Sequence, residues 1–235
     1  MENQLKYKRV LLKISGEALS SDGKTIDDAI ISNVCASIKQ IRDLGVEVGI
    51  VIGGGNIWRG RQNKKMDKST ADYMGMLATC INALALQDAL EQIGVPARVM
   101  TAFAIEKVAE PFVKRNAIEH LENGRVVIFA GGTGNPYFST DSGAALRANE
   151  IEADVILLAK NVDAVYTTDP KVDPTAKRIE EMTYFDILSK KLGVMDLTAA
   201  TLCMENNMPI LVFGLNVENG IVRAVKGENL GTIIR

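Results

Sequence analysis

The chain has 235 residues, of which 47% are hydrophobic and 24% charged, with a formal net charge of −2. This balance supports a sizeable core and excludes disorder, and it gives no basic field to recruit nucleic acid or an anionic membrane. No apolar run reaches the roughly 18 residues of a membrane span, and the opening MENQLKYKRV lacks a signal-peptide apolar region, so a cytoplasmic protein is expected.

In chain order, RVLLKISG (9–16) reads as a short strand closing on Ser15-Gly16. Asp27 to Leu44 carries Ile30, Val34, Ile38 and Ile41 on one helical face, with Gly45 as a stop. VEVGIVIGGG (46–55) is a second buried strand that ends in glycines. Thr70 to Ile93 is helical but apolar nearly all round, which suits a buried helix or a subunit interface. ARVMTA is strand, Ile105 to Leu121 helix and RVVIFA strand, and ADVILLAK (153–160), MPILVFG (208–214) and a terminal GTII complete the apolar runs.

Strands that are apolar runs, alternating with helices, predict an α/β fold: a mostly parallel sheet covered on both faces. The polar, proline-punctuated TTDPKVDPTAKRI follows the last glycine loop, so one domain with lobes of roughly 1–150 and 151–235 is expected. Cys35, Cys80 and Cys203 lie far apart without CxxC spacing, which argues for small buried hydrophobes and against a disulfide framework or zinc site. The single histidine, His120, sits near a helix end and suits a helix-terminal role better than catalysis.

Three strand ends carry small residues: Lys13-Ile14-Ser15-Gly16, Gly53-Gly54-Gly55-Asn56 and Gly131-Gly132-Thr133-Gly134-Asn135. In open α/β sheets ligands bind at that carboxyl edge, where glycine backbone and helix N-termini favour phosphate. One Gly-Gly pair alone is what an ordinary tight turn uses; three at strand ends point to a site. Gly55 to Gly60 supplies two glycines of a Walker A loop, but Arg61-Gln62 replace its lysine and hydroxyl. The dinucleotide fingerprint fails where Tyr137 stands in place of its last glycine. The nearby charges are Lys13, Arg59, Arg61, Asp72, Asp141, Asp163, Asp169 and Asp196. Taken singly each is an ordinary surface charge; together they suit phosphoryl transfer, which needs cations and usually carboxylate-held Mg²⁺. An acceptor already ionised near pH 7 would need no histidine base.

These motifs, in this order, resemble those of the bacterial uridylate (UMP) kinases of the amino-acid kinase superfamily, over essentially the whole chain. The resemblance rests on KISGEAL (13–19), GGGNIWRG (53–60), ADYMGMLAT (71–79), GGTGNPYFSTDSGAALRA (131–148), VDAVYTTDP (162–170) and VMDLTA (194–199). It implies an α/β/α sandwich that transfers the ATP γ-phosphate to UMP with Mg²⁺, in a homohexamer activated by GTP and inhibited by UTP. By the same resemblance, Lys13 would contact the transferring group, beside Ile14, with Ser15 and Gly16 donating to ATP phosphates. Gly54 would lie against the UMP phosphate, Gly55 and Arg59 against ATP, and Asp72 would receive the ribose hydroxyls. The acceptor loop would run through Thr133, Gly134, Asn135, Pro136, Tyr137, Phe138, Ser139 and Thr140. Asp141 would organise Lys13 and the metal, Asp196 would orient the same lysine, and Tyr166 and Asp169 would face adenosine.

The chain departs from the family pattern in two places. Ala159-Lys160-Asn161 puts Lys160 where many relatives carry another nucleotide contact, and SSDGKTI (20–26) lies where relatives differ in their response to GTP. Other readings of the same pattern are a sister kinase acting on a carboxylate or carbamate, a non-catalytic nucleotide-binding regulator or storage protein, and a dinucleotide oxidoreductase.

Overall fold

The computed structural model describes residues 5–60, 65–160, 162–168, 170, 172–190, 193–215 and 217–235. Strand β1 (Arg9–Ile14) ends in a 3-10 turn at Gly16–Leu19 and leads to helix α1 (Asp28–Asp43) and strand β2 (Glu47–Ile52). Helix α2 (Lys68–Gln92), β3 (Ala97–Thr101), β4 (Glu110–Pro111), α3 (Lys114–Glu122) and β5 (Val126–Ala130) follow. The second half runs α4 (Thr140–Glu150), β6 (Val155–Lys160), β7 (Val165–Tyr166), β8 (Arg178–Ile179), β9 (Glu181–Met182) and α5 (Tyr184–Lys190). It closes with α6 (Leu197–Glu205), β10 (Ile210–Gly214), α7 (Gly220–Val225) and β11 (Thr232–Ile234).

Nine strands form one sheet in the order β4-β3-β5-β2-β1-β6-β10-β11-β9, and only the β10–β11 pair is antiparallel. Successive side chains of a strand face opposite sides. Val10, Leu12 and Ile14 therefore join a core with α1, α2 and α7, while Leu11 joins a second core with α3, α4, α5 and α6. The predicted three-layer α/β/α sandwich is what the chain forms. No described helix is long and apolar enough to cross a membrane.

Local chemistry explains several element boundaries. Asp27 caps α1 by accepting from Ala29 N at 2.9 Å, and Asp67 caps α2 by accepting from Thr70 N at 2.8 Å. The helix predicted over 105–121 begins only at Lys114, because Glu110–Pro111 pairs with β3 as β4. Proline offers no N–H and pushes the residue before it out of the helical region. Helix α2 is neither wholly buried nor wholly exposed: Cys80, Ala83, Leu86 and Leu90 enter the core, whereas Tyr73, Leu77, Ile81 and Leu84 face outward.

The three cysteines are free and buried, and burial pushes the Cys35 thiol up to about 11 and Cys203 to about 12, away from thiolate chemistry. His120 ends α3 held between Arg125, which donates to Nδ1 at 2.9 Å, and Glu110, which takes Nε2–H at 3.0 Å.

Candidate active site

Strand β1 lies between β2 and β6, so its carboxyl end opens at the middle of the sheet. Lys13 shares the parity of Leu11 and Lys160 that of Ile156 and Leu158, which places both lysines on the face covered by α4 and α6. Lys13 Nζ stands 2.8 Å from Asp141 Oδ1, with the two side chains 13% and 19% exposed. Oδ1 is buried and has no hydrogen bond despite that distance, so the contact is one of charge, not of directed donation. Lys160 donates to the Val194 carbonyl; burial lowers its pKa, Asp141 opposes that shift and Lys13 adds to it.

Helices α4 and α6 begin side by side. Ser139 caps α4, accepting from Asp141 N at 2.9 Å and Ser142 N at 3.3 Å, and its hydroxyl donates to Asp196. Asp196 caps α6 through Ala199 N at 2.8 Å and accepts the Ser142 hydroxyl on Oδ2 at 3.1 Å. Two positive helix ends thus converge on one carboxylate beside the Lys13–Asp141 pair. Asp196 reaches the start of α4 through the Ser139 and Ser142 hydroxyls; among the described residues the ion pair of Lys13 is with Asp141.

Next to this wall opens a cavity of about 1110 Å³, lined among others by Gly54, Gly55, Trp58, Arg59, Asp72, Thr79, Ser142 and Asp196. Of the residues expected to form the acceptor loop, Thr133, Asn135, Tyr137, Phe138, Ser139 and Thr140 line it too, while Gly134 and Pro136 lie between them in the chain. Thr133 Oγ1 accepts from Asn135 N at 3.2 Å and closes the loop's turn. Tyr137 has φ 71°, and its N–H donates to Asp72 Oδ2 at 2.8 Å. Lys68 meets the same oxygen at 3.1 Å and lies 5.0 Å from the centre of the Tyr137 ring. Arg59 pairs with Glu17 at 2.6 Å and donates to the Gly55 carbonyl at 3.1 Å.

Gly54 is glycine for packing as much as for access: a Cβ there would lie 2.8 Å from Ala78 Cβ and 2.9 Å from the Gly75 carbonyl oxygen. Ser15 and Gly16 turn over the end of β1, where the Gly53 carbonyl leaves no room for a Cβ on Gly16. Tyr166 stands apart on the β7–β8 ribbon and donates to Asp163 Oδ1 at 2.9 Å. Asp169, Arg61 and Asn161 lie outside the described residues.

Several site residues went unread in the sequence. Asn82, fully buried on α2, donates to the Gly53 carbonyl at 2.7 Å and exchanges amide bonds with Asn56 at 2.8 and 3.0 Å. Trp58 donates to the Ala71 carbonyl at 2.9 Å and walls the cavity. Ser142 was visible only inside the GGTGNPYFSTDSGAALRA motif. Among the described residues no group of three or more His, Cys, Asp or Glu could hold a metal by itself. A Mg²⁺ ion that brings its own phosphate oxygens needs just one or two carboxylates, and Asp141, with Oδ1 free of hydrogen bonds, fits that requirement.

A parallel sheet whose central edge presents a lysine–carboxylate pair, two helix N-termini and a cavity for a second molecule has the layout of a phosphotransferase. The Amino acid kinase family matches residues 8–214, and the chain belongs to that family. It is 40% identical to the UMP kinase of Bacillus anthracis, with a TM-score of 0.95 over 97% of this chain and 96% of that one. It is 43% identical to the UMP kinase of Ureaplasma parvum, at 0.92 over 98% and 99%. The uridylate kinase of Archaeoglobus fulgidus is 30% identical, at 0.76 over 96% and 99%.

Proposed function

We propose that this chain is a UMP kinase, transferring the γ-phosphate of ATP to UMP and yielding UDP and ADP. One observation carries the reading: a single cavity joins Gly54, Asp72 and the acceptor loop to the Asp196–Ser142 wall beside Lys13 and Asp141. Asp141 holds Lys13 at the carboxyl edge, where its ammonium stabilises charge spreading over the transferring group. The α4 and α6 N-termini add partial positive charge at the same point. UMP supplies an ionised phosphate, so no side chain has to remove a proton, in keeping with a histidine tied up on α3. Arg59 turns from Glu17 to the ATP phosphates, and Asp72 turns from its own loop to the ribose hydroxyls. Mg²⁺, carried in with ATP and held by Asp141, would neutralise phosphate oxygens during the transfer.

Beyond the reaction, we infer a place in pyrimidine nucleotide biosynthesis in the cytoplasm, and a homohexamer activated by GTP and inhibited by UTP. The outward apolar stripe of α2 (Tyr73, Leu77, Ile81, Leu84) supports assembly, since a contiguous apolar face favours a protein partner. ATP belongs, on this reading, to the side of the sheet built from β6 onward.

The test is ADP release by the purified protein with ATP and Mg²⁺, offered UMP, CMP, dUMP, carbamate and acetylglutamate in parallel. Release with UMP is expected. Release with carbamate or acetylglutamate alone would move the chain to a sister kinase, and ATP binding without any release would make it a regulator. GTP and UTP are then added to the productive reaction.

A further inference from the structure

One face of α2 holds both loops of the site. Thr79, 6% exposed, accepts the Gly131 N–H on its hydroxyl at 2.8 Å and donates to the Met76 carbonyl at 2.6 Å. Gly131 is the first residue after β5, with φ 79°, so this bond fixes where the acceptor loop leaves the sheet. Seven residues earlier on the helix, Asp72 takes the Tyr137 N–H near the loop's other end. Residues seven apart share a helix face, separated by about 10 Å along the axis. The acceptor loop is thus pinned at two points to a rigid ruler.

The same helical turn also abuts the glycine loop after β2. A Cβ on Gly54 would stand 3.1 Å from Thr79 N and 2.8 Å from Ala78 Cβ. Three residues on, Asn82 holds the Gly53 carbonyl at 2.7 Å. Thr79 is therefore the residue that meets the acceptor loop with its hydroxyl and the glycine loop with its backbone.

We propose that Thr79 is a positioning residue: its hydroxyl, acting through the Gly131 N–H, sets the acceptor loop against the Gly54 loop, and so sets the line of approach of the acceptor phosphate. Its kinetic readout rests on the UMP kinase reading above. The bonds of that hydroxyl, to Gly131 N and the Met76 carbonyl, reach none of the residues given to ATP, so the effect is expected at the acceptor.

The experiment compares Thr79→Val, which keeps the shape and removes the hydroxyl, with Thr79→Ser, which keeps the hydroxyl. In Thr79→Val, kcat/KM for UMP is expected to fall at least about tenfold, because small misplacements of reacting groups are costly, while KM for ATP stays within about twofold. Thr79→Ser is expected to recover most of that loss. Amide exchange in the nucleotide-free protein is expected to accelerate in residues 131–139 alone. Lowered thermal stability with unchanged UMP parameters would overturn the proposal, as would equal losses for both substrates without rescue by serine. If the wild type does not turn over UMP, the UMP kinase reading fails separately, and exchange decides: acceleration confined to 131–139 supports the role of Thr79, and its absence overturns it. Should Thr79→Val not fold, Thr79→Ala carries the same comparison.

Discussion

The backbone N–H of Tyr137 donates to Asp72 Oδ2 at 2.8 Å, and Lys68 occupies the same oxygen at 3.1 Å. Tyr137 adopts φ 71° to do so, a conformation that costs a non-glycine residue roughly 1–2 kcal/mol. The carboxylate assigned to the ribose is therefore already engaged by its own loop. Asp72→Asn keeps the amide bond to Tyr137 possible but weakens acceptance from two hydroxyls. Its KM for UMP is expected to rise about tenfold and its preference over dUMP to narrow, since losing a polar contact costs discrimination. Steady-state kinetics on both nucleotides decide; unaltered discrimination would place the ribose elsewhere.

Lys13→Ala is expected to lower kcat by at least ~10² while UMP binding is retained, the pattern of an interaction made in the transition state. It also strips Asp141 of its ion-pair partner, with Lys160 still acting on it by charge, and leaving a largely buried carboxylate less well compensated is expected to destabilise the fold by about 1–3 kcal/mol. Adding Asp141→Asn should return the lost stability in urea titration and leave activity absent. Continued instability of the double variant would mean that Lys13 contributes mainly by packing.

Lys160 has a definite pH signature. Burial lowers its pKa from the ordinary 10.5, so between the lowered value and 10.5 the unfolded chain binds more protons than the folded one. The penalty for burying its charge is fully present below the lowered value and is relieved as pH climbs through that window. Melting temperatures of wild type and Lys160→Met, compared from neutral pH to about 10, should therefore shift in the wild type's favour as pH rises. A constant gap would mean that Lys160 is solvated in solution.

Asp196 and Ser142 should behave as one unit. Each change, Asp196→Ala and Ser142→Ala, loosens the junction of α4 and α6, and removing one partner of the 3.1 Å bond already abolishes it. A double-mutant cycle on kcat is expected to show coupling of about 1 kcal/mol. Additive effects would disconnect Asp196 from α4, leaving a cap worth about 1 kcal/mol on α6 alone.

The strands were legible because a buried parallel strand is an apolar run, and β1, β2, β5, β6 and β10 all are. The helix read over 105–121 was overlong, since its apolar spacing outweighed the proline at 111, which marks the true break. Helices α5, α6 and α7 escaped the periodicity reading altogether, two of them having only seven and six residues. The glycine loops read as a phosphate site in the sequence, and part of their signal is contact with α2, as Gly54 against Ala78 demonstrates. Lys13, Asp141 and the acceptor loop could be named because they sit in contiguous motifs. Thr79 and Asn82 could not: each is a small polar residue in an apolar helix, and their partners Gly131 and Gly53 lie 52 and 29 residues away.

Helix α2 answers separate demands on its different sides. Asp72, Thr79 and Asn82 grip the loops on one side, while Tyr73, Leu77, Ile81 and Leu84 face outward on another. A helix with one working side can drift in sequence over the other; this one has no idle side. In a library of random substitutions, α2 should tolerate fewer replacements per position than α1 or α3, and the tolerated ones should cluster where neither face is engaged.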